Sequence, residues 1–262
     1  MNRFLNLIGL QLDLVWEDKE SNFQKIREIL SKLDHKPDLI VLPETFATGF
    51  TMKSEEFCEP QMDVTEKFLI EMARKTNAAI GGSWMEKNPN GMPFNTFSIG
   101  RPSGIITNRY RKIHPFSFAE EDKFFTAGEQ TETFELNGFN ISLLICYDLR
   151  FPEVFRKTAG TTDLYLVIAN WPQARSEHWL TLLKARAIEN QAYIFGINRV
   201  GYAGRKKQLY HSGNSVLFDP FGKGEFAKEE KEDILKCRIS SKEVKEVRER
   251  FPFLKDRRNI MR

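Results

Sequence analysis

The chain has 262 residues, 41% of them hydrophobic and 29% charged, which is ordinary for a globular protein and enough to bury a sizeable core. Its 39 basic and 36 acidic residues leave a formal charge of +3 with the signs interspersed, so neither a nucleic-acid nor a membrane-surface footprint stands out. No apolar run approaches the roughly 20 residues that span a bilayer, and three widely spaced cysteines, Cys58, Cys146 and Cys237, make no disulfide framework.

Strand-like and helix-like segments alternate. Residues 5–10 read as a first strand: the N-terminus has one basic residue, an apolar stretch broken by Asn6 and no small-residue cleavage site, unlike a signal peptide. That N-terminus and the cysteine usage fit a reducing, cytoplasmic setting. A helix is expected over 21–33, where Phe23, Ile26, Ile29, Leu30 and Leu33 share a face. A continuous apolar strand over 38–42 follows. The next helix opens at Asp63 as N-cap, with Glu66 at the capping-box position, and buries Phe68, Leu69, Met72 and Ala73.

Strands over 78–84 and 94–99 precede the turn Arg101-Pro102-Ser103-Gly104. Strands over 133–136 and 141–146 are joined by Asn137-Gly138, a hairpin-type pair. A buried strand spans 164–169, Ser176 caps a helix reaching Gln191, and strands over 193–200 and 214–218 complete the set. The basic run Arg205-Lys206-Lys207 reads as a solvated loop. With no repeat, low-complexity tract or Pro-, Gly- or Ser-rich linker, one domain over 1–262 is expected, its core about 4–239. Beyond it, a charged helix over 241–250 leads to Phe251-Pro252-Phe253-Leu254, a tail expected to dock on the core or on a partner subunit. Units of β-α-β mixed with direct strand-to-strand turns predict sheets packed on each other inside and helices outside.

Three segments deliver reactive groups at or just past strand ends. Glu44 follows Leu39-Ile40-Val41-Leu42-Pro43, Lys112 lies in Tyr110-Arg111-Lys112-Ile113-His114, and Cys146 follows Leu143-Leu144-Ile145. A thiol beside a base and a cation is the minimum set for attacking a carbonyl and holding the oxyanion. Each group has a plainer alternative: Cys146 as a small buried hydrophobe, Glu44 as a helix cap or an arginine's partner, Lys112 on a solvated basic strand edge. Position favours chemistry for Cys146. The apolar run stops there, and α/β proteins place reactive groups at the carboxyl ends of strands. A corner at that point also frees the Tyr147 N–H as an oxyanion donor. Among the histidines, His35 sits in a polar linker, and His114, His178 and His211 lack a context that identifies a base. No Cys-x-x-Cys or His-Glu-x-x-His metal pattern is present.

In order and spacing these segments resemble the Glu-Lys-Cys signature of the nitrilase, or carbon–nitrogen hydrolase, superfamily. Pro43-Glu44 matches the first motif, Arg111-Lys112-Ile113-His114 the second, and Ile145-Cys146-Tyr147-Asp148-Leu149-Arg150-Phe151-Pro152 the third. The similarity runs from about residue 7 to residue 221. The family uses a second Glu in the loop after the lysine, seven residues before a Gly. Glu121 precedes Gly128 by seven, with its neighbour Glu120 as the alternative. Similarity is strongest to the omega-amidase branch, through Ala169-Asn170-Trp171-Pro172, Arg175, His178-Trp179, Ala185-Arg186-Ala187-Ile188-Glu189-Asn190 and Asn198-Arg199-Val200-Gly201. Pro115 stands where the family usually has Leu.

The resemblance implies an α/β fold of four layers, an α-β-β-α sandwich, with no cofactor and with a homodimer or higher oligomer formed through the 176–191 helix. It also implies hydrolysis of small monoamides of oxo-dicarboxylic acids such as 2-oxoglutaramate and 2-oxosuccinamate. Glu44 would be the base, Cys146 the nucleophile, Lys112 and the Tyr147 N–H the oxyanion donors, and Glu121 would orient Lys112 and contact the substrate amide nitrogen. For the substrate's far carboxylate, Arg175 is the first candidate and Arg150 the second. Trp171 and Phe116 are candidate pocket walls, equally readable as core. A nitrile, an N-carbamoyl amino acid or an aliphatic amide is the alternative substrate, and a non-catalytic scaffold of the same fold the alternative role.

Overall fold

Each of the two large sheets is built around three parallel strands whose apolar residues either alternate or run unbroken. The computed structural model describes residues 2–34, 36–204 and 208–258; His35 and the run Arg205-Lys206-Lys207 lie outside the described residues. The first half of the chain supplies β1 (Phe4–Gln11), α1 (Lys19–Ser31), β2 (Leu39–Val41), the single turn α2 (Ser54–Phe57), α3 (Val64–Thr76), β3 (Ala79–Glu86), β4 (Phe94–Gly100) and β5 (Ile106–Arg111). The second half begins with β6 (Glu132–Leu136), β7 (Phe139–Ile145), α4 (Pro152–Thr158), β8 (Leu164–Ala169), α5 (Ser176–Asn190) and β9 (Tyr193–Asn198). It ends with β10 (Val200–Ala203), β11 (Leu209–Ser212), β12 (Val216–Phe218), β13 (Gly224–Phe226), β14 (Asp233–Ser240) and α6 (Ser241–Arg250).

The first sheet runs β14-β1-β2-β3-β4-β5 and the second β13-β12-β9-β8-β7-β6, with β10 and β11 as a separate hairpin. Within the two large sheets, parallel strand pairs join β1-β2-β3 and β7-β8-β9, where helices make the crossovers. Alternation sorts the side chains between faces. Leu5, Leu7, Leu39 and Val41 join Leu143, Ile145, Leu166, Ile168 and Phe195 in one core cluster between the sheets. Ile8, Leu10, Ile40 and Leu42 turn the other way, onto Phe23 and Ile26 of α1 and Phe68 and Leu69 of α3. Trp179, Leu183 and Ala187 of α5 cover the second sheet. The expected α-β-β-α sandwich is the fold. The sheets approach closely at Gly9, where a Cβ would lie 2.1 Å from Ile197 Cδ1.

Several expectations shift locally. Helix α1 starts at Lys19, because Asp18 caps it by accepting from Ser21 N at 3.0 Å. Asp63 precedes α3 but makes no side-chain cap. Glu66 reaches back to Met62 N instead (2.7 Å) and is gripped by Arg109 at 2.7 and 2.8 Å. Ser176 is the first residue of α5 and Arg175 its cap. Strands β5, β10, β11, β13 and β14 add to the expected set. The largest change is β14, which pairs with β1 over its whole length and so makes 233–240 part of the first sheet. Helix α6 is only partly solvated, since Val244 and Val247 are buried. Arg248 Nε donates to Gln191 O at 3.1 Å and Gln191 Nε2 to Phe251 O at 2.7 Å, which seats the start of the tail on its own chain at the end of α5.

Candidate active site

Four segments from both sheets converge on one buried polar cluster. Glu44 follows β2 through Leu42 and Pro43 and is fully buried. Its Oε1 accepts from Lys112 Nζ at 3.0 Å and from Asn95 Nδ2 at 2.9 Å; its Oε2 accepts from Asn170 N at 2.8 Å. The Cys146 thiol lies close enough to this carboxylate to feel its charge.

Lys112 lies one residue past β5. Its neighbours refute the solvated-edge alternative: Arg109 pairs with Glu66, Arg111 with Glu86, and Tyr110 is buried. Lys112 itself is 1% exposed, and its ammonium lies 3.0 and 2.8 Å from the two oxygens of Glu121. Glu121 also accepts from Phe116 N at 2.5 Å. Glu120 is exposed and pairs with Lys123, so the second acid of the cluster is Glu121. The glycine seven residues on has a steric reason. Gly128 N donates to Lys112 O at 2.7 Å, and a Cβ there would meet Arg111 O at 2.2 Å.

Cys146 directly follows β7 and lies in the left-handed region, with φ of 47°. A non-glycine residue in that region costs on the order of 1–3 kcal/mol and persists only when its surroundings enforce it. Here the enforcement comes from buried Asp148. Its Oδ2 accepts from Ile145 N (3.0 Å) and the Tyr110 hydroxyl (2.7 Å), and its Oδ1 from His114 N (3.0 Å). The His114 ring also bonds Asp148, at 2.8 Å, and stacks on Phe151. This network ties the Cys146 turn to the Lys112 segment.

The electrostatics follow from burial. Burial and the Glu44 charge push the Cys146 thiol well above the ordinary cysteine range, with Lys112 opposing. Burial also pulls Lys112 down, but the Glu121 and Glu44 charges outweigh it and hold the ammonium well above its usual value. Burial raises Glu121 despite Lys112 beside it. The upward push on Cys146 keeps the resting thiol protonated at neutral pH. Among the described residues Cys146 has no histidine partner. His211 is pushed down to about 3 by burial and Arg199 and stays neutral, while His178 contacts Arg150 at 3.4 Å.

Above Cys146 lies a cavity of about 90 Å³ lined by Phe50, Phe116, Tyr147, Trp171, Arg150 and Arg175, among others. It is far smaller than the roughly 300–1,000 Å³ typical of sites for drug-sized ligands. Both candidate arginines line it, and neither has a carboxylate partner among the described residues. Arg150 lies over the Trp171 ring at 4.8 Å, and Arg175 over Phe116 at 5.5 Å. Trp171 is wall and core at once: it lines the cavity, is 4% exposed and packs on Trp179.

Sequence reasoning missed Asn95 and Phe50, and it quoted Asn170 and Asp148 without giving them a part. Asn170 was findable, since it follows β8 directly, as Glu44 and Cys146 follow their strands. Asn95, near the start of β4, and Phe50, whose ring lies 5.2 Å from the Lys112 ammonium, carry no local signal.

Residues 7–249 match the sequence model of the carbon-nitrogen hydrolase family. The chain belongs to the carbon-nitrogen hydrolase family. This hydrolase is 40% identical to the omega-amidase YafV of Yersinia enterocolitica over 96% of each chain. It is 33% identical to the 2-oxoglutaramate amidase of Bacillus subtilis over 94% of this chain and 95% of that one. A crystal structure of a CN-hydrolase superfamily protein from Xanthomonas campestris, with an arsenic adduct in the active site, superposes with a TM-score of 0.92 at 33% identity, covering 99% of each chain.

Proposed function

We propose that this carbon–nitrogen hydrolase releases ammonia from the monoamide of a short oxo-dicarboxylate, such as 2-oxoglutaramate or 2-oxosuccinamate, through a thioester on Cys146. One observation carries the proposal. The Cys146 thiol lines a small cavity whose walls hold two guanidinium groups without carboxylate partners among the described residues, and two carboxylates and an ammonium are buried beside that thiol. The relatives named omega-amidase and 2-oxoglutaramate amidase support the same substrate class.

Glu44 removes the Cys146 proton while sulfur attacks the amide carbon. The carbonyl oxygen gains the negative charge and is held by Lys112 and the Tyr147 N–H, a donor left over at the start of a helical turn. As the C–N bond breaks, Glu44 returns the proton to nitrogen and ammonia leaves. In the second half Glu44 takes a proton from water, hydroxide adds to the thioester, and the thiolate departs and regains that proton. Glu121 orients the lysine and faces the amide nitrogen. Arg175, with Arg150 beside it, neutralises the far carboxylate, and Phe116 and Trp171 wall the pocket.

Purified protein incubated with these two amides, an aliphatic amide, a nitrile and an N-carbamoyl amino acid, followed by an ammonia assay, tests the proposal. The oxo-dicarboxylate monoamides are expected to give the highest kcat/KM by at least tenfold. A preference for the nitrile or the N-carbamoyl acid replaces the substrate, and no ammonia from any of them returns the chain to a scaffold role.

We further place the protein in the cytoplasm as a homodimer. Its three cysteines are free, as a reducing setting keeps them. Ile188 of α5, Phe221, Phe226 and Phe253 are exposed, and Phe221 and Phe253 both pack on Phe251, apolar surface of the kind a second copy covers. Sedimentation equilibrium reads the subunit count; a monomer at micromolar concentration overturns that assignment.

A further inference from the structure

The carboxamide of Asn95 lies between the two acids of the cluster. Asn95 is the second residue of β4 and is 1% exposed. Its Nδ2 stands 2.9 Å from Glu44 Oε1 and 3.4 Å from Glu121 Oε1. Its main chain is fixed as well, because Lys112 N donates to Asn95 O at 2.9 Å. The orientation of the amide is not in doubt chemically: turned over, its oxygen would face two carboxylate oxygens. As oriented, Asn95 Oδ1 is buried with no hydrogen-bond partner among the described residues. A buried acceptor left unmet is costly, so the side chain is held in place by what its NH₂ does.

The charges show why a neutral donor is needed there. Two buried carboxyl groups share one ammonium, and no second cation is paired with them among the described residues. The titratable groups around the pair are Lys112 from the segment after β5, Glu121 from the turn Glu121–Lys123 and Cys146 from the end of β7. A second cation would trap both acids as anions and weaken the base. A third acid would drive one of them to protonate. An amide donating to both does neither.

We propose that Asn95 is a positioning residue for the base: one NH₂ group bonds Glu44 and Glu121 together and keeps the Glu44 carboxylate aimed while Lys112 is shared. The inference rests on Glu44 acting as the base for Cys146. Losing a donor makes a carboxylate hold its proton more tightly, so the acid limb of any rate that needs ionised Glu44 moves to higher pH.

The test is Asn95→Leu, close in volume and without a donor, with Asn95→Ser as a smaller variant that keeps one. Iodoacetamide alkylation of Cys146, read by peptide mass spectrometry from pH 4 to 9, reports the base without needing a substrate. In Asn95→Leu the acid-side midpoint should rise by about one to two pH units, the size of a hydrogen bond to a charged group. Asn95→Ser should fall between Leu and wild type, and it decides the matter if the Leu variant does not fold. In a Glu44→Gln background the Asn95 change should leave the profile unmoved. A midpoint that stays put overturns the proposal, whatever happens to the absolute rate. So does an equal shift in the Glu44→Gln background. If wild type hydrolyses no amide and the midpoint still shifts, the substrate assignment fails and this inference stands.

Discussion

Replacing Lys112 with Met tests the cluster as an electrostatic unit. The substitution keeps the length of the side chain and removes the one ammonium, which lies 3.0 Å from Glu44 and 2.8 Å from Glu121 in a site that is 1% exposed. Removing one partner of a buried ion pair costs about 3–5 kcal/mol, because a charge is left uncompensated. Asn95, Asn170 N and Phe116 N still donate to the two acids, which puts the expected loss at the lower end, about 3 kcal/mol at pH 8. At about 2–4 °C per kcal/mol for a chain of this size, the melting temperature falls by about 6–12 °C. The pH dependence has a definite sign. Without the ammonium the two carboxylates hold protons more tightly folded than unfolded, and stability of that kind is present at low pH and lost as pH rises. The deficit of the variant should therefore shrink as pH falls from 8 to 5. Differential scanning calorimetry of both proteins across that range is the assay. An unchanged melting temperature at pH 8, or the same deficit at pH 5, would refute the charge arrangement.

Cys146→Ala should abolish amide hydrolysis with the fold intact. In wild type a stoichiometric alkylator should modify Cys146 before Cys58 and Cys237, the latter pushed up to about 12 by burial and by Glu225; equal labelling of all three, seen by mass spectrometry, sinks the nucleophile assignment. Glu44→Gln should reduce turnover more than the roughly 100- to 1,000-fold typical of losing one oxyanion donor, since the same group serves both half-reactions; near-normal turnover would point to another base. Arg175→Ala should raise KM for 2-oxosuccinamate about 10- to 150-fold, as expected for a charge-assisted contact, and leave an uncharged short amide nearly untouched. Arg150→Ala, measured alongside, decides between the two cations: the variant with the selective loss identifies the carboxylate reader, and a uniform loss on both substrates marks a residue that braces the pocket.

What sequence could supply was the order of the strands' reactive ends. Glu44 and Cys146 stand where apolar runs stop, and that boundary is visible without coordinates. The spacing of Glu121 to Gly128 was equally readable, although the clash with Arg111 O behind it was not. Strand β14 was legible in principle: Leu235, Cys237 and Ile239 alternate with Lys236 and Arg238. The charged residues between them masked a strand with one solvated face. Strand β5 was hidden for a different reason. Its Arg109 and Arg111 look like solvent-facing residues, and only tertiary structure brings buried Glu66 and Glu86 to meet them. Asn95 and Asp148 are invisible for the same reason, since a lone polar residue on or after a strand says nothing about which carboxylate or hydroxyl lies opposite it.

The pairing of β1 with β14 sets an order on biosynthesis. Gln11 and Asp233 are neighbours in the sheet but lie about 220 residues apart in the chain. At roughly 5–20 residues per second, the ribosome needs about 11–44 s to deliver the partner. During that interval β1, whose other side pairs with β2, presents a row of unpaired N–H and C=O groups, the feature that lets edge strands recruit foreign chains. A message truncated before codon 233 would leave every residue of the catalytic cluster translated and that edge permanently open. Such a fragment should partition into aggregates or bind chaperones, although Glu44, Lys112, Glu121 and Cys146 are all present in it.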